Sequence, residues 1–378
     1  MSDQTIDFLF LSEEDMIRAG VRDMRACIDT MEEVISCLNK GDYVMGGQNH
    51  NSHGSQLCFP KSSPFPNMPV DEGDDRRFMA MPAYLGGSFD LAGMKWYGSN
   101  SANREKGLPR SILTVMLNDK DTGAPLALMS ANILSAMRTG AIPGVGARYL
   151  AAPEAKSCGI CGPGVMGRTS LEAILTACPG IEEVKVKGRG RRSLEAFVES
   201  EGAKYAGRVK MRTVDTVEEL IRDTDVICFA NSGNTDPSTY PLVKGEWLKK
   251  GALVIGVSCF ELDQDFMADR CTLIVDNTAL YEAWAEEFPY PSFGMNNIIG
   301  SKFTDMIHDG LIKKEDMIDL GDVISQKREG RKNDEDIIIF SVGGMPVEDV
   351  AWGKVCYERA KKLGIGQSLR LWDKPEMA

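Results

Sequence analysis

Ser157-Cys-Gly-Ile-Cys161-Gly162-Pro163-Gly164-Val165-Met166-Gly167-Arg-Thr-Ser-Leu-Glu-Ala-Ile-Leu175 is the stretch from which the fold can be read. A short apolar run predicts a strand, the glycines predict a turn, and the period after Gly167 predicts a helix. In a turn that receives a dinucleotide each glycine has its own task. Gly162 bends the chain tightly, Gly164 lets backbone approach a pyrophosphate, and Gly167 allows the helix to pack close to the strand. Pro163, Val165 and Met166 complete the turn, and the N–H groups that open the helix face negative charge. Gly-x-Gly-x-x-Gly alone is a weak signal; between a strand and a helix it becomes informative.

Reading outward toward the C-terminus, strands are predicted at residues 183–187, 226–230, 253–257, 273–275 and 337–342, alternating with helical stretches. That alternation implies a parallel α/β sheet, a Rossmann domain over residues 151–345. The second strand ends in Lys187-Gly-Arg189-Gly-Arg191-Arg192. An NAD site usually places an acid here; several cations instead suit a 2'-phosphate, which favours NADP(H) and leaves NAD(H) possible. A solvated basic turn is the plainer alternative. Ala230-Asn231-Ser232 ends the strand expected to pass beneath the cofactor and offers polar contact there, although a capped turn would look the same. Asp276-Asn277 ends another strand and is open to the same two readings.

Reading toward the N-terminus, residues 8–11 predict a strand, and Ser12-Glu-Glu-Asp15 opens an amphipathic helix running to about Leu38. Residues 49–75 are rich in Ser, Pro, Gly and Asp and read as a loop, interrupted by Leu57-Cys-Phe59. Strand-like segments at 78–84, 91–97, 111–118 and 124–130, separated by turns, predict an antiparallel sheet, followed by a helix over 132–150. The expected class is α/β, with an α+β domain over residues 1–150 completed by about 346–378, where a helix is predicted from Glu348 to Leu363.

Composition sets outer limits. A chain of 378 residues, 43% hydrophobic and 26% charged, can bury a large core and is long for a single one. Its net charge of -12 repels phosphate backbones and anionic lipid surfaces, so neither nucleic acid nor a membrane is an expected partner. The first residues lack the pattern of a secretory signal, and no apolar run is long enough to span a bilayer, so a cytoplasmic protein is expected. Ten cysteines scattered through apolar segments fit reduced thiols. Cys158 and Cys161 have the spacing of a redox or zinc pair, yet both fall on an apolar strand with no second pair to accompany them. The three histidines, His50, His53 and His308, are scattered, and no metal site is expected.

Three segments of the first domain combine a cation with an apolar strand or helix pattern: Phe59-Pro60-Lys61, Gly93-Met94-Lys95-Trp96 and Ser135-Ala-Met-Arg138-Thr-Gly140. A cation in such a setting is costly unless it is paired or meets a ligand anion, so each is a candidate for holding a substrate carboxylate. Taken together with Met81-Pro-Ala-Tyr-Leu-Gly-Gly87, the residues from Leu126 to Met129, the glycine turn and Ser341-Val-Gly-Gly-Met-Pro-Val-Glu-Asp349, these segments make the chain resemble the ornithine cyclodeaminase/mu-crystallin family from about Leu57 to Gly366. Gly98-Ser-Asn100, Asn103 and Arg110-Ser111 are similar to the branch that includes amino-acid dehydrogenases of siderophore-precursor synthesis.

The resemblance implies a homodimer whose first domain supplies a sheet to the interface, a nicotinamide cofactor on the Rossmann domain, and an amino- or imino-acid substrate held between the domains. It implies that Lys95 is the central catalytic lysine, that Arg138 binds the substrate carboxylate, and that Lys61 stands where the family commonly has an arginine. Met81 and Asn100 join them as substrate-binding candidates. After the predicted strand at 253–257, a cyclodeaminase is expected to carry an aspartate that engages the distal amine; here Ser258 stands, a cofactor-side candidate as in reductase and dehydrogenase branches. Serine cannot pair with an ammonium as a carboxylate does, although Glu261 or Asp263 could substitute. The expected function is hydride transfer between NAD(P)(H) and an imino or amino acid, by an enzyme of ketimine reductase or amino-acid dehydrogenase type. The alternatives are a cyclodeaminase-type lyase with tightly bound NAD and a non-catalytic, nicotinamide-dependent accessory subunit.

Overall fold

The computed structural model describes residues 4–73, 75–231 and 236–377. The chain divides into two compact units: Met1–Asp23 with Gly41–Arg138 and Met345–Ala378, and Met24–Lys40 with Thr139–Gly344.

The second unit is built on an all-parallel sheet. Its order is Lys210–Thr213, Glu183–Lys187, Ser157–Cys161, Val226–Phe229, Leu253–Gly256, Ile337–Ser341, Cys271–Val275 and Met317–Asp319. Ser157–Cys161, Val226–Phe229 and Leu253–Gly256 are buried along their whole length, which is why they read as continuous apolar runs. Strand order reverses between Ser157–Cys161 and Val226–Phe229. At such a switch point the connections diverge and open a crevice beyond the strand ends. The glycine turn lies there, leading into the helix Val165–Ala177. The α/β class and the Rossmann arrangement expected from the sequence are both present.

The first unit carries the second sheet. Its order is Gln367–Trp372, Ile6–Leu11, Pro125–Ser130, Ser111–Asn118, Leu91–Ser99, Arg77–Leu85 and Tyr43–Met45, and Ser55–Cys58 also pairs with Arg77–Leu85. Pairing is antiparallel except between Ile6–Leu11 and Pro125–Ser130. Alternation along Leu91–Ser99 buries Leu91, Gly93, Lys95 and Ser99 and turns Trp96 outward. The helix Pro346–Leu363 lies on the buried face, where Gly93 passes close to Val350, and a Cβ there would come within 2.9 Å of it. Pro346 at the first helical position fits the start of that helix, and Gly364 in the left-handed region closes it.

The units differ from the boundaries read in the sequence. The amphipathic stretch after Ser12 is two helices, Glu13–Arg18 and Met24–Lys40, broken at Gly20, whose φ is +82°. The second of them belongs with the Rossmann unit, where Asn39 donates to Asp322 at 2.8 Å. The helix Asn132–Leu150 is continuous, but its first two turns belong to one unit and the rest to the other. Periodicity shows that a helix has an apolar face; it does not show which sheet that face meets.

Candidate active site

Lys95 lies at the middle of Leu91–Ser99, opposite Met81 on one neighbouring strand and Val115 on the other. Arg138 and Ser135 are three residues apart and share a face of the helix Asn132–Leu150. Glu348 and Asp349 stand in the first turn of Pro346–Leu363. The fold gathers these groups into one buried cluster. Lys95 Nζ donates to Asp349 Oδ2 at 2.9 Å and reaches Ser135 Oγ at 3.4 Å. Arg138 pairs through Nη1 with Glu348 Oε2 at 2.5 Å and through Nη2 with Asp349 Oδ2 at 2.9 Å.

Lys95 and Arg138 are 3% and 4% exposed, and both acids are fully buried, so water screens none of these charges well. Two cations face two anions, and the cluster is formally neutral. Burial, then the neighbouring Arg138 charge, draw the Lys95 ammonium down to about 8 against the opposing pull of Asp349. Burial also pushes Asp349 up, but Arg138 and Lys95 outweigh it and hold that carboxylate below its ordinary range. A lysine at about 8 gives and accepts a proton close to neutral pH, which an ordinary lysine does not.

The other substrate-side candidates are placed differently. Met81 is fully buried on the strand beside Lys95. Asn100 has its side-chain oxygen engaged with Ala102 N at 2.8 Å, capping the short helix Ser101–Lys106. Lys61 is exposed in the irregular stretch after Ser55–Cys58 and is not part of the ionic cluster. Arg138 has both terminal nitrogens on protein carboxylates, while its Nε has no hydrogen-bond partner among the described residues. Glu348 and Asp349 enter the site only through the fold. The available signal was a pair of adjacent acids followed by Val-Ala-Trp in a helix that must bury that face.

In the Rossmann unit the glycines meet the geometric requirements of a dinucleotide turn one by one. Gly162 has φ +111°, and a Cβ there would lie 2.5 Å from the Ala230 carbonyl oxygen. At Gly167 a Cβ would lie 2.0 Å from the Gly162 oxygen, so only glycine lets helix and strand approach this closely. A Cβ at Gly164 would have nothing within 4 Å, leaving open space beside the backbone that opens the helix. Val165 is 61% exposed and Pro163 and Met166 are partly exposed, in keeping with a surface turn. Gly162 N is tied to Lys187 O at 2.8 Å and Ala230 N to Cys161 O at 2.8 Å, which fixes the turn against both neighbouring strands.

Asn231 donates to Cys259 O at 3.1 Å, but its side-chain oxygen is buried without a hydrogen-bond partner among the described residues. That orphaned acceptor at the strand end fits a site completed by a ligand. Ser232 lies outside the described residues. Arg189, Arg191 and Arg192 are exposed beyond Glu183–Lys187, and Arg191 pairs with Glu195 at 2.8 Å. The residues present therefore fit a dinucleotide: the turn for its pyrophosphate, Asn231 for a polar group, and the end of Glu183–Lys187 for a ribose.

Other sequence candidates have structural employment. Ser258 N donates to Phe229 O at 2.9 Å, and Ser258 is partly buried at the end of the Leu253–Gly256 strand. Glu261 pairs with Lys302, and Asp263 caps the helix Gln264–Arg270 by accepting from Phe266 N at 2.8 Å. Asn277 caps Thr278–Glu287, and Asp276, pushed up to about 6 by burial, accepts from Gly343 N at 2.8 Å and Tyr281 Oη at 3.0 Å. Cys158 and Cys161 are free and buried, and burial pushes the Cys161 thiol up to about 11, away from thiolate chemistry. Among the described residues no group of three or more His, Cys, Asp or Glu is placed to hold a metal, and no helix is long and apolar enough to cross a membrane.

The model of the ornithine cyclodeaminase/mu-crystallin family matches residues 20–364. Alanine dehydrogenase of Archaeoglobus fulgidus is 30% identical over 358 residues, covering 92% of this chain and 99% of that protein. Among solved structures, Delta(1)-pyrroline-2-carboxylate reductase of Thermococcus litoralis in complex with NADH and L-proline is 26% identical, with a TM-score of 0.76, covering 96% of this chain and 100% of that one. An archaeal alanine dehydrogenase dimer with bound NAD gives the same identity and TM-score over 97% of this chain and 100% of that one.

Proposed function

Since the chain belongs to the ornithine cyclodeaminase/mu-crystallin family, we propose that it is an NAD(P)H-dependent oxidoreductase acting between an imino acid and the corresponding amino acid. The observation that carries this reading is Lys95, buried against Asp349 and Arg138 with its ammonium drawn to about 8. When bound, the nicotinamide supplies or accepts the hydride. Lys95 handles the proton: it donates toward the substrate nitrogen during imine reduction and accepts from it during amine oxidation. Asp349 keeps Lys95 in place and stabilises its charged form. Arg138, oriented by Glu348 and Asp349, offers Nε toward the substrate carboxylate, and Lys61 adds positive charge from the neighbouring loop. Met81 supplies an apolar wall and Asn100 a polar group near the strand end.

Ring-forming deamination is disfavoured by the distal-amine position. Ser258 carries no charge there, and the two nearby carboxylates are committed, Glu261 to Lys302 and Asp263 to its helix cap. NADP(H) is preferred on the strength of Arg189, Arg191 and Arg192, with no acid at the end of Glu183–Lys187 to bind ribose hydroxyls. A homodimer is supported by the outward face of the first unit's sheet, where Phe10, Phe78, Trp96 and Ile112 are exposed together with smaller apolar side chains.

A panel of 2-oxo acids with ammonium, preformed cyclic imines and L-ornithine, assayed with NADPH and NADH, tests the reading. Cofactor oxidation coupled to amino-acid formation is expected, faster with NADPH. Ammonia release from ornithine without net change in the cofactor would replace the oxidoreductase by the lyase.

A further inference from the structure

The buried face of the first unit's sheet continues past Lys95 to a second polar group. Successive rows across Arg77–Leu85 and Leu91–Ser99 pair Met81 with Lys95, Met79 with Tyr97 and Arg77 with Ser99. All of these share one face, because side chains alternate along a strand. Four residues of strand separate the Lys95 row from the Arg77 row, about 13 Å of backbone, and each arginine side chain can reclaim several ångströms of that.

The helix that covers this face runs the other way. Its first turn sets Asp349 against Lys95, and it proceeds toward the turn after Leu85, where Lys354 Nζ donates to Ser88 O at 3.0 Å. Tyr97 and Arg77 are left only partly buried, and the Lys95 ammonium lies 5.7 Å from the centre of the Tyr97 ring, which links the two groups.

At the far row Asp75 pairs with both Arg77 and Arg110, and Ser99 Oγ donates to Asp75 at 3.2 Å. Among the described residues one carboxylate thus serves two guanidinium groups, and these three side chains together carry an excess positive charge. The Nε atoms of Arg77 and Arg110 are both buried and have no hydrogen-bond partner among the described residues. Donors in that condition are costly in a purely structural ion cluster and are expected where an anion completes the set. We propose that Arg77 and Arg110 form a second anion site for the far end of the substrate, so that the enzyme takes imino and amino acids bearing a distal carboxylate. The proposal rests on the oxidoreductase reading and specifies the substrate class for the same site.

The test compares 2-oxoglutarate and 2-oxoadipate with 2-oxopentanoate and 2-oxohexanoate, each with ammonium and reduced cofactor. The native enzyme is expected to favour the diacids in kcat/KM by about tenfold or more, as befits a charge-assisted contact. Arg77→Gln and Arg110→Gln bring that ratio toward unity. Asp75→Asn, which releases both guanidinium groups, raises it, an outcome that damage to the fold would not produce. If the glutamine variants do not fold, the native ratio and the Asp75→Asn response decide. Equal rates on diacids and monoacids in the native enzyme overturn the second site and leave the oxidoreductase standing, as does a ratio insensitive to all three substitutions. Failure to turn over any oxo acid or imine overturns the oxidoreductase reading itself.

Discussion

At the end of Ser157–Cys161 the protein presents backbone and open space; in the middle of Leu91–Ser99 it presents side-chain charge with almost no space around it. A Cβ at Gly164 would touch nothing within 4 Å, whereas Lys95 is 3% exposed and ringed by Ser135, Arg138 and Asp349. The first region leaves room, which suits a ligand that would bring its own charge. The second stores charge in advance, and each ion there is tolerable only because opposite charge stands beside it. The two regions should therefore respond differently to substitution: the turn through affinity for the cofactor, the ionic cluster through proton transfer and through the dependence of stability on pH.

The largest effect is expected at Lys95. Lys95→Met keeps bulk but removes the proposed proton carrier, and turnover should fall by roughly 10²–10⁴-fold while cofactor still binds. Near-normal turnover would take Lys95 out of the mechanism. The same variant reads the stored charge directly. Lys95 titrates at about 8 in the folded protein against an ordinary value of 10.5, so between those pH values the unfolded chain holds the extra proton and native stability rises with pH. Full expression of the shift is worth about 3 kcal/mol. Denaturant titrations at both ends of the window should show that increment in the native protein relative to Lys95→Met, since the other titrating groups are common to both. Parallel curves would mean that Lys95 is not depressed.

The same contrast governs what could be read from the amino-acid order. The glycine turn is contiguous, and each of its three glycines answers a local requirement, so the Rossmann unit is legible in the amino-acid order, whereas the strand switch at which the turn lies emerges only from the sheet order. The ionic cluster joins Lys95 to Asp349 across 254 positions, and that pairing exists only once the terminal helix lies on the sheet. Lys95 and Arg138 stood out as cations in apolar patterns, but their partners did not, because acids in the first turn of a helix are ordinary. Lys210–Thr213, Met317–Asp319 and Gln367–Trp372 are likewise not marked in the amino-acid order. All three are edge strands, short or exposed, and an edge strand lacks the two-sided apolar run that marks a buried one.

A smaller effect separates a turn that serves only the fold from one that receives a ligand. Gly164 has φ -88°, a conformation open to any residue, and its Cβ position is empty, so Gly164→Ala should leave thermal stability nearly unchanged, within about 0.5–1 kcal/mol. A methyl group there would nevertheless stand between backbone and pyrophosphate, and calorimetry should find NAD(P)H weakened on the order of tenfold or more. Unchanged affinity in a stable variant would make the glycine turn a structural feature alone, and the contrast with the Lys95 region would lose one of its two sides.

The smallest effect concerns the phosphate on the ribose. Arg189 and Arg191 are exposed, and Arg191 already pairs with Glu195, so water and salt screen whatever they contribute. Arg189→Ala combined with Arg191→Ala should weaken NADPH by about tenfold relative to NADH, corresponding to the loss of a partly screened charge-assisted contact. The difference should shrink as salt is added, because exposed pairs are screened while the buried cluster at Lys95 is not. Equal losses for the two cofactors would place these arginines outside the ribose site. A difference that persists at high salt would place them in a more enclosed setting than their exposure allows, and the basic turn would then resemble the Lys95 region more than the glycine turn it follows.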